Sequence, residues 1–166
     1  MANFITLLRF LLVFPTMYVL MSEQKAVAVF LIGAGALSDF FDGSLARKNR
    51  EESAWGALLD PLVDKVFFLS LLAVFVYIHR VNPYMYVLFL IRELSISFLR
   101  SLALQKGYVM SASYLGKIKA FFEFASLLLL SLESSLSLWS LWIALFLAYA
   151  SMWDYLVKYL SFDDRR

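Results

Sequence analysis

Four aspartates lie in two closely spaced pairs in the first half of the chain. Asp39 and Asp42 are three residues apart, and Asp60 and Asp64 are four residues apart. In a helix, both spacings put the two carboxylates of a pair on one face. Both pairs border strongly apolar segments. A charged side chain at the centre of a membrane span costs roughly 2.5 to 3.5 kcal/mol, so charges in such segments indicate a functional site.

Carboxylates in this pattern could bind divalent metal ions. If two helices bring the pairs together, four like charges need a cation to stay ionised. The chain has no cysteine, and its single histidine, His79, is expected on the opposite side of the membrane. Oxygen ligands therefore favour Mg²⁺, Mn²⁺ or Ca²⁺ over zinc. Two carboxylate pairs also suit two ions about 4 Å apart, an arrangement used in phosphoryl transfer.

The alternative for these aspartates is a structural ion network without a ligand. Its basic partners would be Arg47, Lys48, Arg50 and Lys65.

Six apolar segments are candidates for the helices that position these residues. Of the 166 residues, 62% are apolar or aromatic, and the mean hydropathy is +0.75, well above that of a soluble domain. The segments cover about residues 4–21, 26–41, 58–78, 84–104, 118–132 and 136–160. They predict an all-α polytopic membrane protein with about six transmembrane helices, forming a single domain over residues 1–166. Because almost no basic residue precedes it, the first segment is predicted to be a membrane helix, not a removable signal peptide.

Basic residues indicate the orientation of these helices. With a cytoplasmic N-terminus, Lys25 and Arg80 lie outside. The basic residues on the cytoplasmic side are then Arg47, Lys48, Arg50, Arg100, Lys106, Lys117, Lys119, Lys158, Arg165 and Arg166. Such an excess is typical of cytoplasmic loops. The aspartates are therefore predicted to face the cytoplasm from the inner or plasma membrane. The aromatic residues show no spacing typical of base stacking, so nucleic acid is not indicated.

The segment from Asp39 to Asp64 resembles the signature of the CDP-alcohol phosphatidyltransferase family. Its residues are Asp39, Phe40, Phe41, Asp42, Gly43, Ser44, Leu45, Ala46 and Arg47, then Gly56 after eight intervening residues, then Asp60 and Asp64, each after three intervening residues. Upstream, the residues similar to the family's first-helix pattern are Asn3, Thr6, Arg9 and Pro15. A motif of this length in a membrane context is a specific signal.

The resemblance implies a fold, an activity and a site. The fold would be that of the CDP-alcohol phosphatidyltransferases, as a homodimer in the lipid bilayer. The activity would be transfer of a phosphatidyl group from CDP-diacylglycerol to an alcohol, with two Mg²⁺ or Mn²⁺ ions. The metal ligands would be Asp39, Asp42, Asp60 and Asp64. Asp64 would also be the general base. The residues that hold the CDP donor would be Asn3, Thr6, Gly43, Arg47 and Ser53.

Basic residues in the second half of the chain predict a site for the phosphate of the acceptor. Arg92 and Arg100 are eight residues apart and share a helix face, and Lys117 and Lys119 open the next helix. Arginine suits such a site because its planar guanidinium can donate two parallel hydrogen bonds to a phosphate. The segment that contains these residues resembles the branch of the family whose acceptor is glycerol 3-phosphate.

Other interpretations of these residues stay open. Arg92 can instead pair with Glu93 or Glu123 and stabilise helix packing. Ala120 and Glu123 replace a threonine and a glutamine of that branch, so inositol phosphate, serine or another alcohol are alternative acceptors. A cation transporter is an alternative of another class, since its intramembrane carboxylates would bind the transported ion. A structural membrane subunit is a third, but it would not need four converging aspartates.

Overall fold

The computed structural model describes the backbone of residues 2–49, 54–108, 110 and 113–163, and the side chains of residues 6–38, 62–108, 110 and 113–162. These residues form helices and short turns. The helices are α1 (Ala2–Met21), α2 (Lys25–Asn49), α3 (Ala54–Tyr77), α4 (Pro83–Gln105), α5 (Tyr114–Ser131) and α6 (Ser137–Asp163). The predicted number and order of helices are confirmed. Asp39, Asp60 and Asp64 lie inside predicted apolar segments, and the continuation of α2 to Asn49 places Asp42 in a helix as well.

Helix α3 lies at the centre of the bundle, where it contacts α1, α4 and α5. Phe67, Leu71 and Phe75 of α3 are at most 1% exposed. Their spacing of four residues puts them on one helix face. They belong to the same apolar core as Phe89 of α4 and Leu127 of α5. This core fixes the position of the helix that carries Asp60 and Asp64.

Three turns close one end of the bundle, after α1, α3 and α5. Each contains a non-glycine residue in the left-handed region: Glu23 at φ 57°, His79 at φ 60° and Glu133 at φ 55°. The carboxylate of Glu133 lies 2.6 Å from the ammonium of Lys25 and also pairs with Arg80, so it connects the three turns. Hydrogen bonds from Lys25 and Arg80 lower the pKa of the Glu133 carboxyl.

Large apolar side chains cover much of the outer surface. Examples are Phe30, Phe98, Phe146 and Trp153, each at least 66% exposed. Among the described residues, one helical segment, Ser137–Phe162, is long and apolar enough to cross a membrane by length and composition. Thr6–Met21 and Lys25–Ser38 are shorter apolar helical segments.

Candidate active site

The four aspartates occupy two helices that are adjacent in the chain. Asp39 and Asp42 lie in the C-terminal half of α2, and Asp60 and Asp64 lie in the N-terminal half of α3. Because the backbone is helical at all four positions, the spacing within each pair is that of residues on one helix face. The side chains of Asp39, Asp42 and Asp60 lie outside the described residues. Asp64 is described, and its side chain is 35% exposed.

Arg9 of α1 joins the two helices that carry the aspartates. Its Nη1 donates a hydrogen bond to Oδ1 of Asp64, with which it forms an ion pair. Its Nε donates to Oγ of Ser38 at 3.1 Å, and Ser38 directly precedes Asp39. One guanidinium therefore contacts Asp64 and a neighbour of Asp39. This arrangement brings the two ends of the signature close together in space.

The contacts of Arg9 with both helices do not follow from the sequence, in which Arg9 is singled out only by the first-helix resemblance. The side chain is 1% exposed and lies in an otherwise apolar helix. The cost of burying a charge, which singles out the aspartates, applies equally to this arginine. Lys65 is one of the basic residues predicted as ion-pair partners of the aspartates. It extends to α4 instead, where its Nζ donates to Oγ of Ser97.

The predicted donor-binding residues are described to different extents. Thr6 is 3% exposed and lies one helical turn before Arg9. Gly43 and Arg47 lie in the last turns of α2. The side chains of Asn3, Gly43 and Arg47, and all of Ser53, lie outside the described residues.

The predicted metal ligands are carboxylates, whose oxygen atoms are of the type that hard divalent cations prefer. In the part of the chain whose side chains are described, no three carboxylate or imidazole side chains come together, and three of the four aspartates lie outside that part. His79 follows the C-terminus of α3, about 22 Å from Asp64 at 1.5 Å per residue of helix. His79 is therefore too distant to share one ion with Asp64, and the chain has no cysteine.

Glu93 is the centre of a buried ionic cluster between α3, α4 and α5. Its Oε1 accepts a hydrogen bond from Nζ of Lys119 at 2.7 Å and another from Arg92. Its Oε2 lies 3.6 Å from Nζ of Lys65. Lys119 also pairs with Glu123 at 2.9 Å. The cluster thus connects three helices through one carboxylate, whereas the sequence predicts Glu93 only as a possible partner of Arg92.

Arg92 extends this cluster to α6. Its Nε donates to the carbonyl of Ala148 at 2.9 Å, and its Nη2 donates to Oγ of Ser151. Arg92 and Lys119 are 3% and 7% exposed. These contacts are those expected of the helix-packing alternative considered for Arg92.

Arg100 and Lys117, the other two residues predicted to bind the acceptor phosphate, lie near the N-terminus of α5. Arg100 is half-buried, and its Nη2 donates to the hydroxyl of Tyr155 at 3.1 Å. Lys117 is exposed in the first turn of α5. Arg92 and Arg100 both contact α6, which confirms that they share a helix face. The four predicted residues are therefore divided between a buried cluster and a more accessible region.

Comparison with known proteins identifies the family. The profile of the CDP-alcohol phosphatidyltransferases matches residues 1–150. The chain therefore belongs to the CDP-alcohol phosphatidyltransferase family. Its curated relatives include proteins named CDP-diacylglycerol--glycerol-3-phosphate 3-phosphatidyltransferase.

Three of these relatives show the extent of the similarity. The one from Aquifex aeolicus is 34% identical over 128 residues, covering 76% of this chain and 72% of the relative. The one from Bacillus subtilis is 32% identical over 129 residues, covering 73% and 67%. The one from Wigglesworthia glossinidia brevipalpis is 29% identical over 164 residues, covering 93% and 87%. The similarity to the last of these extends over almost the whole chain.

Proposed function

We propose that this chain transfers the phosphatidyl group of CDP-diacylglycerol to glycerol 3-phosphate, giving phosphatidylglycerophosphate and CMP. The names of its curated relatives support this substrate pair. The observation on which the proposal depends is the contact of Arg9 with both Asp64 and Ser38, which brings the end of the signature next to its beginning.

In the proposed reaction, Asp64 accepts the proton of the acceptor hydroxyl. The oxygen then attacks the phosphorus that carries diacylglycerol, the bond from that phosphorus to the CMP oxygen breaks, and CMP leaves with the electron pair. Asn3, Thr6, Gly43, Arg47 and Ser53 hold the CDP donor. Arg9 contacts Oδ1 of Asp64 and so orients the carboxylate that accepts this proton.

A divalent cation completes the proposed site. Asp39, Asp42, Asp60 and Asp64 would hold two Mg²⁺ or Mn²⁺ ions. When bound, these ions supply positive charge that stabilises the pyrophosphate and the departing CMP.

Arg100, Lys117, Arg92 and Lys119 form the proposed acceptor site in two layers. Arg100 and Lys117, at the N-terminus of α5, are the more accessible pair and contact the phosphate of glycerol 3-phosphate directly. Arg92 and Lys119 lie in the buried cluster behind them and add positive charge. This division follows from their different exposure.

The bundle is proposed to cross the membrane, as a homodimer, with the aspartate end in the cytoplasm. The exposed apolar side chains and the apolar segment Ser137–Phe162 support a lipid environment. Since the chain has no cysteine, Gln105→Cys and Ser135→Cys introduce single labels at opposite ends of the bundle. A membrane-impermeant maleimide should label Ser135→Cys from outside intact cells and Gln105→Cys only after lysis. Labelling of both in intact cells would exclude this orientation.

The direct test of function is CMP release by the purified protein in detergent with CDP-diacylglycerol and Mg²⁺. Glycerol 3-phosphate, inositol phosphate and serine are compared as acceptors, each with and without a chelator. Release that needs glycerol 3-phosphate and stops with the chelator would support the proposal. Release with another acceptor would change the substrate, and no release with any acceptor would favour the transporter.

Two variants test the assigned roles. Asp64→Asn should abolish CMP release while CDP-diacylglycerol still binds, because the proton acceptor is lost. Asp154→Asn in α6 is the matched control and should keep its activity. Normal turnover of Asp64→Asn would exclude Asp64 as the base.

Arg100→Ala should raise KM for glycerol 3-phosphate more than KM for the donor.

A further inference from the structure

Tyr155 of α6 lies where α4 approaches the N-terminus of α5. The side chain is 4% exposed. Its hydroxyl oxygen accepts one hydrogen bond from Nη2 of Arg100 at 3.1 Å and another from the backbone N–H of Ser113 at 3.0 Å. The guanidinium carbon of Arg100 also lies 5.0 Å from the centre of the tyrosine ring. One side chain therefore fixes both an arginine and the start of a helix.

The two groups that Tyr155 holds both attract anions. Arg100 is a permanent cation with several donors. Ser113 caps α5, where its Oγ accepts a hydrogen bond from the N–H of Gly116 at 3.0 Å, and the N-terminus of a helix carries partial positive charge. A Cβ on Gly116 would lie 3.1 Å from Oγ of Ser113 and 3.5 Å from the Tyr155 hydroxyl. The absence of a side chain at Gly116 leaves room for these two hydroxyl groups.

One donor of Arg100 lacks a hydrogen-bond partner among the described residues. This donor is Nε, which is buried. Leaving a buried donor unsatisfied is unfavourable. A phosphate oxygen beside Arg100 would satisfy it, and such a contact depends on the orientation of the guanidinium plane.

We propose that Tyr155 is a positioning residue for the acceptor phosphate. Its hydroxyl holds the guanidinium of Arg100 next to the N-terminus of α5, so that both act on one anion. This inference rests on the proposed function, which supplies glycerol 3-phosphate as the acceptor. Tyr155 lies beyond residue 150, where the match to the family profile ends.

The test is Tyr155→Phe, which removes the hydroxyl and keeps the ring beneath Arg100. We expect KM for glycerol 3-phosphate to rise about tenfold, because a hydrogen bond to a charged group is lost. KM for CDP-diacylglycerol and kcat should change less than about twofold. The matched control is Tyr149→Phe, which removes the hydroxyl that donates to the carbonyl of Leu88 at 3.1 Å. It should leave both KM values unchanged.

A second variant keeps the test decisive if Tyr155→Phe folds poorly. Arg100→Lys keeps the charge but loses the planar guanidinium, so it should raise the same KM and leave the donor KM unchanged. In a Tyr155→Phe/Arg100→Ala double variant, the effect should be no larger than that of Arg100→Ala alone, because the two residues act together.

The outcomes separate this inference from the proposed function. If Arg100→Ala raises KM for glycerol 3-phosphate and Tyr155→Phe does not, the role of Tyr155 is refuted and the acceptor site stands. If neither variant, nor Arg100→Lys, changes that KM while phosphatidylglycerophosphate is still made, the phosphate binds elsewhere and both assignments fail. If the wild-type protein releases no CMP with glycerol 3-phosphate, the proposed function fails first.

Discussion

Replacing Glu93 with glutamine is expected to destabilise the bundle strongly. The carboxylate is 2% exposed and lies beside three cationic side chains, those of Arg92, Lys119 and Lys65. Glutamine has nearly the same shape, so the packing around it is preserved while its charge is removed. The three cations then lose their shared counter-ion, and the nearest remaining carboxylate is that of Glu123, which pairs with Lys119.

The magnitude follows from the number and burial of these contacts. Removing one partner of a buried ion pair costs about 3 to 5 kcal/mol. The amide oxygen of glutamine still accepts one hydrogen bond, so the lower end of this range, about 3 kcal/mol, is expected. The corresponding change at Glu133 is the matched control. Glu133 also pairs with two basic residues, but its side chain is 41% exposed, so Glu133→Gln should have little effect on stability.

Titration of the detergent-solubilised protein with a denaturing detergent measures this difference. The unfolding midpoint of Glu93→Gln should lie well below those of the wild type and Glu133→Gln, and the slope should be similar. If Glu93→Gln and Glu133→Gln unfolded at the same midpoint, the cluster would not stabilise the helix packing, and the reasoning from burial would be refuted.

Two further predictions concern packing and pH. Gly35→Ala should destabilise the bundle by about 1 to 2 kcal/mol, because a Cβ would lie 2.7 Å from the fully buried ring of Phe67. A Cβ at Gly33 would lie in open space, so Gly33→Ala should gain up to about 1 kcal/mol from helix propensity. Equal unfolding midpoints of Gly35→Ala and Gly33→Ala would contradict this. Hydrogen bonds, chiefly from Lys25, lower the pKa of Glu133 below its ordinary value of 4.5. Stability from this pair, small because the side chain is exposed, is therefore present above pH 4.5 and is lost as pH falls through the lower folded-state pKa, so the wild type should lose slightly more stability than Glu133→Gln between neutral and acidic pH.

The helices could be predicted from the sequence because the signals for them are local. Apolar segments separated by short polar turns mark α1 to α6, and the spacing within each aspartate pair follows directly from helix geometry. The ends of α2 and α3 were less predictable. Helix α2 continues past its apolar segment through the charged residues Asp42, Arg47 and Lys48, where hydropathy falls, and α3 begins four residues before its apolar segment, at Ala54.

The contacts between helices could not be predicted in the same way. Arg9 and Asp64 are separated by 55 residues in the chain, and Lys119 and Glu93 by 26. Sequence periodicity does not specify which faces of two helices pack together. An arginine in an apolar helix therefore indicates that a partner is needed, without indicating which residue it is. The sequence therefore indicated buried charges, and the fold was needed to identify their partners.

The buried ionic cluster around Glu93 can stabilise helix packing and also contribute to the acceptor site. Its basic members are Lys65, Arg92 and Lys119, and its acidic members are Glu93 and Glu123, so the formal charge is three positive against two negative, or +1. Such an excess attracts an anion through the low-dielectric interior without direct contact. It therefore favours a phosphorylated acceptor near Arg100 over serine, whose net charge is zero. On this argument, replacing a paired cation would weaken acceptor binding even where the side chain never touches the phosphate.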